Sequence, residues 1–203
     1  PDKVGRCIDE VGIGFLYAPL LHQAMKYAIG PRKEMGIRTV FNILGPLTNP
    51  ASAKRQIMGV FDINLTEALA KVLQNLGGEH CFVVHSEDGL DEITIGGITK
   101  ISEAKEGKVE TYYLDPREYG FKIASLEEVR GGDAKKNAQM LLDVLSGENG
   151  AKRDIVLLNS AAAIVAGGKA RDFAQGIELA RESIDSGEAR RKLSAMLEFT
   201  NAV

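Results

Sequence analysis

Two cysteines, three histidines and the absence of any long apolar run bound this 203-residue sequence before a motif is read. Cys7 and Cys81 are far apart and form no CxxC pattern, so they read as buried or half-buried thiols of a reducing, cytoplasmic compartment. Of the histidines, His80 and His85 come nearest to a ligand spacing, and they flank a predicted strand, which argues against zinc. No stretch approaches the ~18 apolar residues of a membrane span. Lys and Arg total 25 against 28 Asp and Glu, a formal net charge of −3, and the cations are spread along the chain. That balance argues against nucleic acid or an anionic membrane as a partner. Internal repeats, low-complexity segments and composition shifts are absent. With 44% hydrophobic and 26% charged residues, the sequence predicts one α/β domain with a helical tail.

The periodicities fill in that outline. Asp2 to Val11 reads as a short helix with Asp2 as its N-cap, and Leu20 to Ile29 as a second, ended by Gly30-Pro31. Residues 32 to 36 read as a third, closed by Gly36. Ile57 to Phe61 is a short β-rich run. Asn64 then caps a clear helix, with Glu67 placed as a capping-box partner; Leu65, Leu69, Val72, Leu73 and Leu76 follow the helical period, and Gly77 ends it. Cys81 to His85 is a compact apolar strand of the kind found in parallel sheets covered by helices. Strand, helix and strand in this order make a right-handed βαβ unit. Thr99 to Glu103 and Lys108 to Leu114 flank the turn-forming Glu106-Gly107 as a hairpin. Ser125 and Asp133 are candidate caps, Ala134 to Leu145 is amphipathic, and Lys152 to Ala166 is apolar on nearly every face, its Ala161-Ala162-Ala163 run allowing close helix approach. Asp172 to Ser186 and Glu188 to Phe199 complete the helical tail.

The chemistry concentrates in two places. Arg32 to Ala51 (RKEMGIRTVFNILGPLTNPA) crowds Arg32, Lys33 and Arg38 around a short apolar segment that Gly45-Pro46 breaks, with Thr48-Asn49-Pro50 as a second breaker. This suits a loop holding backbone and cations beside an anion, and equally a plain helix-to-loop junction. Arg32 alone reads as either a carboxylate fork or a solvated cation. Asp91 and Glu92 follow a glycine at the C-terminal side of a strand; adjacent carboxylates there can collect magnesium, or form a solvated turn. Lys54-Arg55 reads as a solvated basic pair. Met35, Phe41 and Met58 read as core.

FNILGPLTNPA preceded by RKxxGIRT closely resembles the anthranilate phosphoribosyltransferase family. Phe15 to Tyr27 (FLYAPLLHQAMKY), Gly89 to Ile93 (GLDEI) and Asn159 to Ala189 resemble that family's flanking segments, in order and with compatible spacing. The resemblance implies an α/β fold with a mostly parallel sheet flanked by helices, of the class shared with nucleoside phosphorylases. It implies transfer of phosphoribosyl from phosphoribosyl pyrophosphate (PRPP) to the amine of anthranilate, with pyrophosphate leaving, in tryptophan biosynthesis. On that reading Arg32 binds the anthranilate carboxylate, His22 and Met25 line the aromatic-substrate channel, Pro46 packs against the ring, and Asp91 and Glu92 hold Mg2+ associated with the diphosphate. The substrate amine is already nucleophilic, so no catalytic base is expected. The resemblance also implies a homodimer for the intact protein.

The family's GTGGD-type loop, its NxST segment and its Lys-His-Gly-Asn segment do not occur here. The paired glycines, Gly77-Gly78, Gly96-Gly97, Gly131-Gly132 and Gly167-Gly168, do not open a strand-loop-helix phosphate site. The expectation is therefore a C-terminal portion of a longer enzyme, inactive in isolation and either held by the rest of its chain or prone to self-association. The alternatives are a pyrimidine nucleoside phosphorylase, which shares the fold, and a non-catalytic anthranilate-binding fragment.

Overall fold

The computed structural model describes residues 2–17, 41–49 and 51–202. The helices expected over Leu20–Ile29 and 32–36 lie outside the described residues. Within them the helices are α1 (Asp2–Val11), α2 (Phe41–Leu47), α3 (Leu65–Asn75), α4 (Leu126–Val129), α5 (Ala134–Leu145), α6 (Ala151–Ala166), α7 (Phe173–Asp185) and α8 (Glu188–Ala202). The strands are β1 (Arg55–Gly59), β2 (His80–Ser86), β3 (Thr99–Lys105) and β4 (Lys108–Leu114). The chain divides into two compact units, residues 53–188 and residues 1–52 with 189–203. None of the described helices is long and apolar enough to cross a membrane.

Residues 53–188 form a four-stranded sheet in the order β1-β2-β3-β4. β1 and β2 run parallel, with Gly59 opposite Val84, and α3 makes the crossover, as the βαβ pattern predicts. The sheet is mixed rather than mostly parallel among the described strands, because β2 to β3 and β3 to β4 are antiparallel. Turn chemistry decides the second of these pairings. Glu106 (φ 50°) and Gly107 (φ 77°) both take positive φ in a two-residue turn whose twist matches the paired strands.

β2 is buried on both faces. Cys81 and Val83 share one face with Met58 and the α3 residues Leu69, Ala70 and Leu73, while Phe82 and Val84 join the main core beneath α6 and α7. Phe82 meets Phe173 at 5.7 Å between ring centroids. α6 and α7 approach closely where a Cβ on Gly176 would lie 2.9 Å from the Ala161 carbonyl oxygen. Ala161 and Ala162 are buried as expected, whereas Ala163 is exposed, so α6 is wet along one stripe. Arg153 ties its N-terminal end down, donating to Asp185 (2.6 Å) and to the Gly147 carbonyl (2.8 Å).

Two local expectations change. Asn64 is itself helical and makes no side-chain cap; its backbone N–H donates instead to Asp62 (2.9 Å), and Glu67 pairs with Lys71 (2.6 Å). At the other end, the N–H groups of Gly77 and Gly78 donate to the Gln74 and Leu73 carbonyls, and Gly77 takes φ 84°, closing α3 with a Schellman motif. The second change lies at Gly45-Pro46, which does not break its segment but sits in the last turn of α2. The stop comes at Thr48, whose N–H and hydroxyl both donate to the Leu44 carbonyl, and Asn49 then accepts from the Ala51 N–H.

In the other unit, α1 buries Cys7 and Val11 and ends at Gly12 (φ 89°). Asp2 stands in its first turn rather than capping it. Lys192 of α8 donates to the Val11 carbonyl, and the Arg6 guanidinium lies 5.5 Å from the centroid of the Phe199 ring. Both cysteines are free and buried.

Candidate functional site

The best-built irregular segment of the sheet unit joins β2 to β3 over residues 87–98, at the edge where the parallel strands β1 and β2 end. Open α/β sheets carry their ligand sites at this edge. The loop's shape comes from short side-chain bonds. Asp88 accepts from the Thr94 hydroxyl (2.5 Å), the Leu90 N–H (3.3 Å) and the Ser86 hydroxyl. Gly89 takes φ 91° and donates to the Ser86 carbonyl. Thr94 accepts from Gly96 N–H (2.8 Å), while its own N–H donates to Thr99 (3.1 Å). Ile93 and Ile95 enter the main core and anchor the loop by burial.

Asp91 and Glu92 lie at the outer bend of this loop, both exposed. Gly59, the last residue of β1, backs the Asp91 peptide so closely that a Cβ there would lie 1.6 Å from the Asp91 carbonyl oxygen. Glu92 borders a cleft of about 350 Å³ lined by Ile155, Val156, Asn159, Ser160 and Ala163 of α6. Partial desolvation against this cleft, and then the neighbouring Asp91 carboxylate, raise the Glu92 carboxyl above its ordinary value. Neither residue has an ion-pair partner among the described residues.

This donor set fits a hard divalent cation. Two adjacent, solvent-facing carboxylates suit magnesium, which keeps several waters and completes its shell with phosphate oxygens. The described residues hold no group of three or more His, Cys, Asp or Glu side chains able to enclose a metal, so such an ion would draw the rest of its shell from solvent and ligand.

Of the other residues singled out by sequence, Arg32, His22 and Met25 lie outside the described residues. Pro46 is exposed near the end of α2. Of Lys54-Arg55, Arg55 pairs with Glu79 (3.1 Å) and donates to the Ala166 carbonyl (3.0 Å). A larger cleft of about 480 Å³ runs along α5 and the start of α6, but Lys152 and Arg153 in its lining already bond to the Glu128 and Gly147 carbonyls. Sequence reasoning missed Gly59, Asp88 and Asn159. Gly59 carried a legible signal, since an isolated glycine in a strand marks close backbone approach.

A mixed sheet flanked by helices, with an ordered loop at the C-terminal edge of its parallel strands, defines an α/β domain of the kind that carries ligands at that edge. Residues 1–190 match the model of the glycosyl transferase family, a/b domain, and the chain belongs to that family. It is 56% identical over 201 residues to the anthranilate phosphoribosyltransferase of Symbiobacterium thermophilum, covering 99% of this chain and 59% of that protein. The crystal structure of the Thermus thermophilus enzyme superposes with a TM-score of 0.90 at 41% identity, over 97% of this chain and 58% of the other. The Saccharomyces cerevisiae enzyme in complex with PRPP and Mg superposes with a TM-score of 0.90 at 31% identity, over 100% and 58%. The chain thus spans about three fifths of the length of these relatives.

Proposed function

We propose that the intact protein is an anthranilate phosphoribosyltransferase of tryptophan biosynthesis, acting as a homodimer, and that this chain supplies its metal-side loop and its anthranilate-side residues. The observation that carries the reading is the Asp91–Glu92 pair, held at the C-terminal edge of the parallel strands in a chain of this family. In the reaction the bond from the ribose C1 to diphosphate breaks, and the diphosphate leaves with the electron pair. The bond from C1 to the anthranilate nitrogen forms, and that nitrogen releases a proton. The transition state has oxocarbenium character, so rate comes from stabilising the leaving group and aiming a neutral amine. Magnesium, when bound, supplies positive charge to the departing diphosphate.

The chain's own residues hold and orient. Asp91 and Glu92 offer carboxylate oxygens at the sheet edge. Arg32 offers two parallel N–H donors to a planar carboxylate, a geometry that a lysine does not reproduce. Pro46, His22 and Met25 supply apolar and polar contacts for the ring. A general base is not required.

The test is formation of N-(5-phosphoribosyl)anthranilate by the full-length chain, followed by fluorescence. Arg32→Ala is expected to raise KM for anthranilate about 10- to 100-fold, the size of a charge-assisted pair, with KM for PRPP little changed. Phosphorolysis of thymidine in place of this reaction would instead support a pyrimidine nucleoside phosphorylase.

A further inference from the structure

Helix α6 is apolar from Ile155 to Leu158 and from Ala161 to Ala166, and a single amide, Asn159, interrupts it on the side of the acidic loop. Asparagine is a poor helix former, and burying its amide is costly unless every polar atom is satisfied. Here each is. The Asn159 side-chain oxygen accepts from the Ile93 N–H (3.0 Å), and its NH2 group donates to the Ile93 carbonyl (2.7 Å) and to the Ile155 carbonyl (2.9 Å). Both backbone groups of one residue are therefore held by one side chain, as a neighbouring strand would hold them. Ile93 directly follows Glu92. On the other side, Gly59 leaves no space between the end of β1 and the Asp91 carbonyl. The acidic dipeptide sits between a backbone wall and an amide clamp.

We propose that Asn159 is a positioning residue. By gripping the Ile93 peptide it fixes the backbone of Glu92 and keeps the Asp91 and Glu92 carboxylates side by side at the sheet edge, ready for a divalent cation. This inference rests on the reading of that pair given above. Loss of the grip frees the loop to relax toward solvent and separate the carboxylates, which their mutual repulsion favours.

The experiment measures Mn2+ affinity by electron paramagnetic resonance in the presence of PRPP, on the full-length chain, for wild type, Asn159→Ala, the isosteric Asn159→Asp and Glu92→Gln. Amide exchange at Ile93 is followed in the wild type. Asn159→Ala should weaken Mn2+ binding about 10- to 100-fold, the usual range for residues that orient metal ligands. Asn159→Asp should weaken it too, because it keeps the acceptor for the Ile93 N–H but sets a carboxylate oxygen against the Ile93 and Ile155 carbonyls that the amide NH2 held. KM for anthranilate should not move, whereas a merely structural role would lower the melting temperature and leave Mn2+ affinity alone. Unchanged affinity in Asn159→Ala with loss in Glu92→Gln overturns this inference and spares the metal-site reading. Unchanged affinity in both overturns the two together. Should the Asn159 variants fail to fold, the wild type decides: Ile93 amide exchange as slow as that of β2 supports the clamp, and exchange at the rate of open loop residues overturns it.

Discussion

The two edges of the sheet treat carboxylates in opposite ways. At the edge where β1 and β2 begin, Glu103 and Arg55 both have partners. Glu103 accepts from the Tyr112 hydroxyl (3.0 Å) and meets the buried His80 ring nitrogen at 2.7 Å, and Arg55 meets Glu79. Burial, and then the Glu103 carboxylate, push the Tyr112 phenol up, so it stays a donor throughout the ordinary pH range. At the edge where the same strands end, Asp91 and Glu92 stand adjacent without a described cation, although Asp88, Thr94, Asn159 and Gly59 fix their loop in detail. Charges that serve the fold are neutralised within it. The adjacent carboxylates of Asp91 and Glu92 have no such partner among the described residues, and the proposed cation site rests on that contrast.

The contrast can be broken in three ways. The largest effect should come from Gly59→Ala. Its Cβ meets backbone rather than a flexible side chain, so either β1 or the acidic loop must move, costing about 1–3 kcal/mol or more and abolishing Mn2+ binding; a denaturant midpoint and the Mn2+ titration together measure it. Next is Glu103→Gln at the opposite edge. It weakens two hydrogen bonds to a carboxylate and should cost about 1–2 kcal/mol while leaving Mn2+ affinity intact. A loss of metal affinity there would dissolve the distinction between the edges.

The smallest effect belongs to Glu92. Its folded value lies above the usual 4.5, so the folded chain holds this proton more tightly than the unfolded chain. The stability that follows is present in full below the unfolded value and is lost as pH rises through the folded one. Glu92→Gln removes that dependence. Relative to wild type it should therefore gain a small amount of stability between about pH 4 and pH 7, seen as a flatter melting temperature against pH. A steeper profile would show that the pair is not a source of strain.

Much of the architecture was legible in sequence. The 3.6-residue period predicts α5, α6 and α7 to within a residue or two, with Asp133 capping as expected through the Lys136 N–H; Asp172, read as the first residue of α7, caps it through the Gln175 N–H. The apolar run of β2 and the Glu106-Gly107 turn predict their strands for local reasons. The direction of pairing across the loop 87–98 is not local, so the mixed sheet was out of reach, and a helical Gly45-Pro46 was missed because its stop lies two residues later in the Thr48 side chain. Of the candidate site, Asp91 and Glu92 were legible as candidates because adjacent acids after Gly89 are visible in one dimension. Asn159 was not, because its partner is 66 residues away.

By itself, then, the sequence determined the residue types that could meet an anion and a divalent cation, the helical and strand periods, and, through the match over residues 1–190, the family. Only the tertiary structure decided which carboxylates are spent on the fold and which are left exposed. It also decided that a strand-end glycine and a helix-borne amide grip the acidic loop from two sides. The reason is physical: periodicity and turn chemistry act over a few residues, whereas neutralising a charge or clamping a peptide needs groups that only the packed chain brings within about 3 Å of each other.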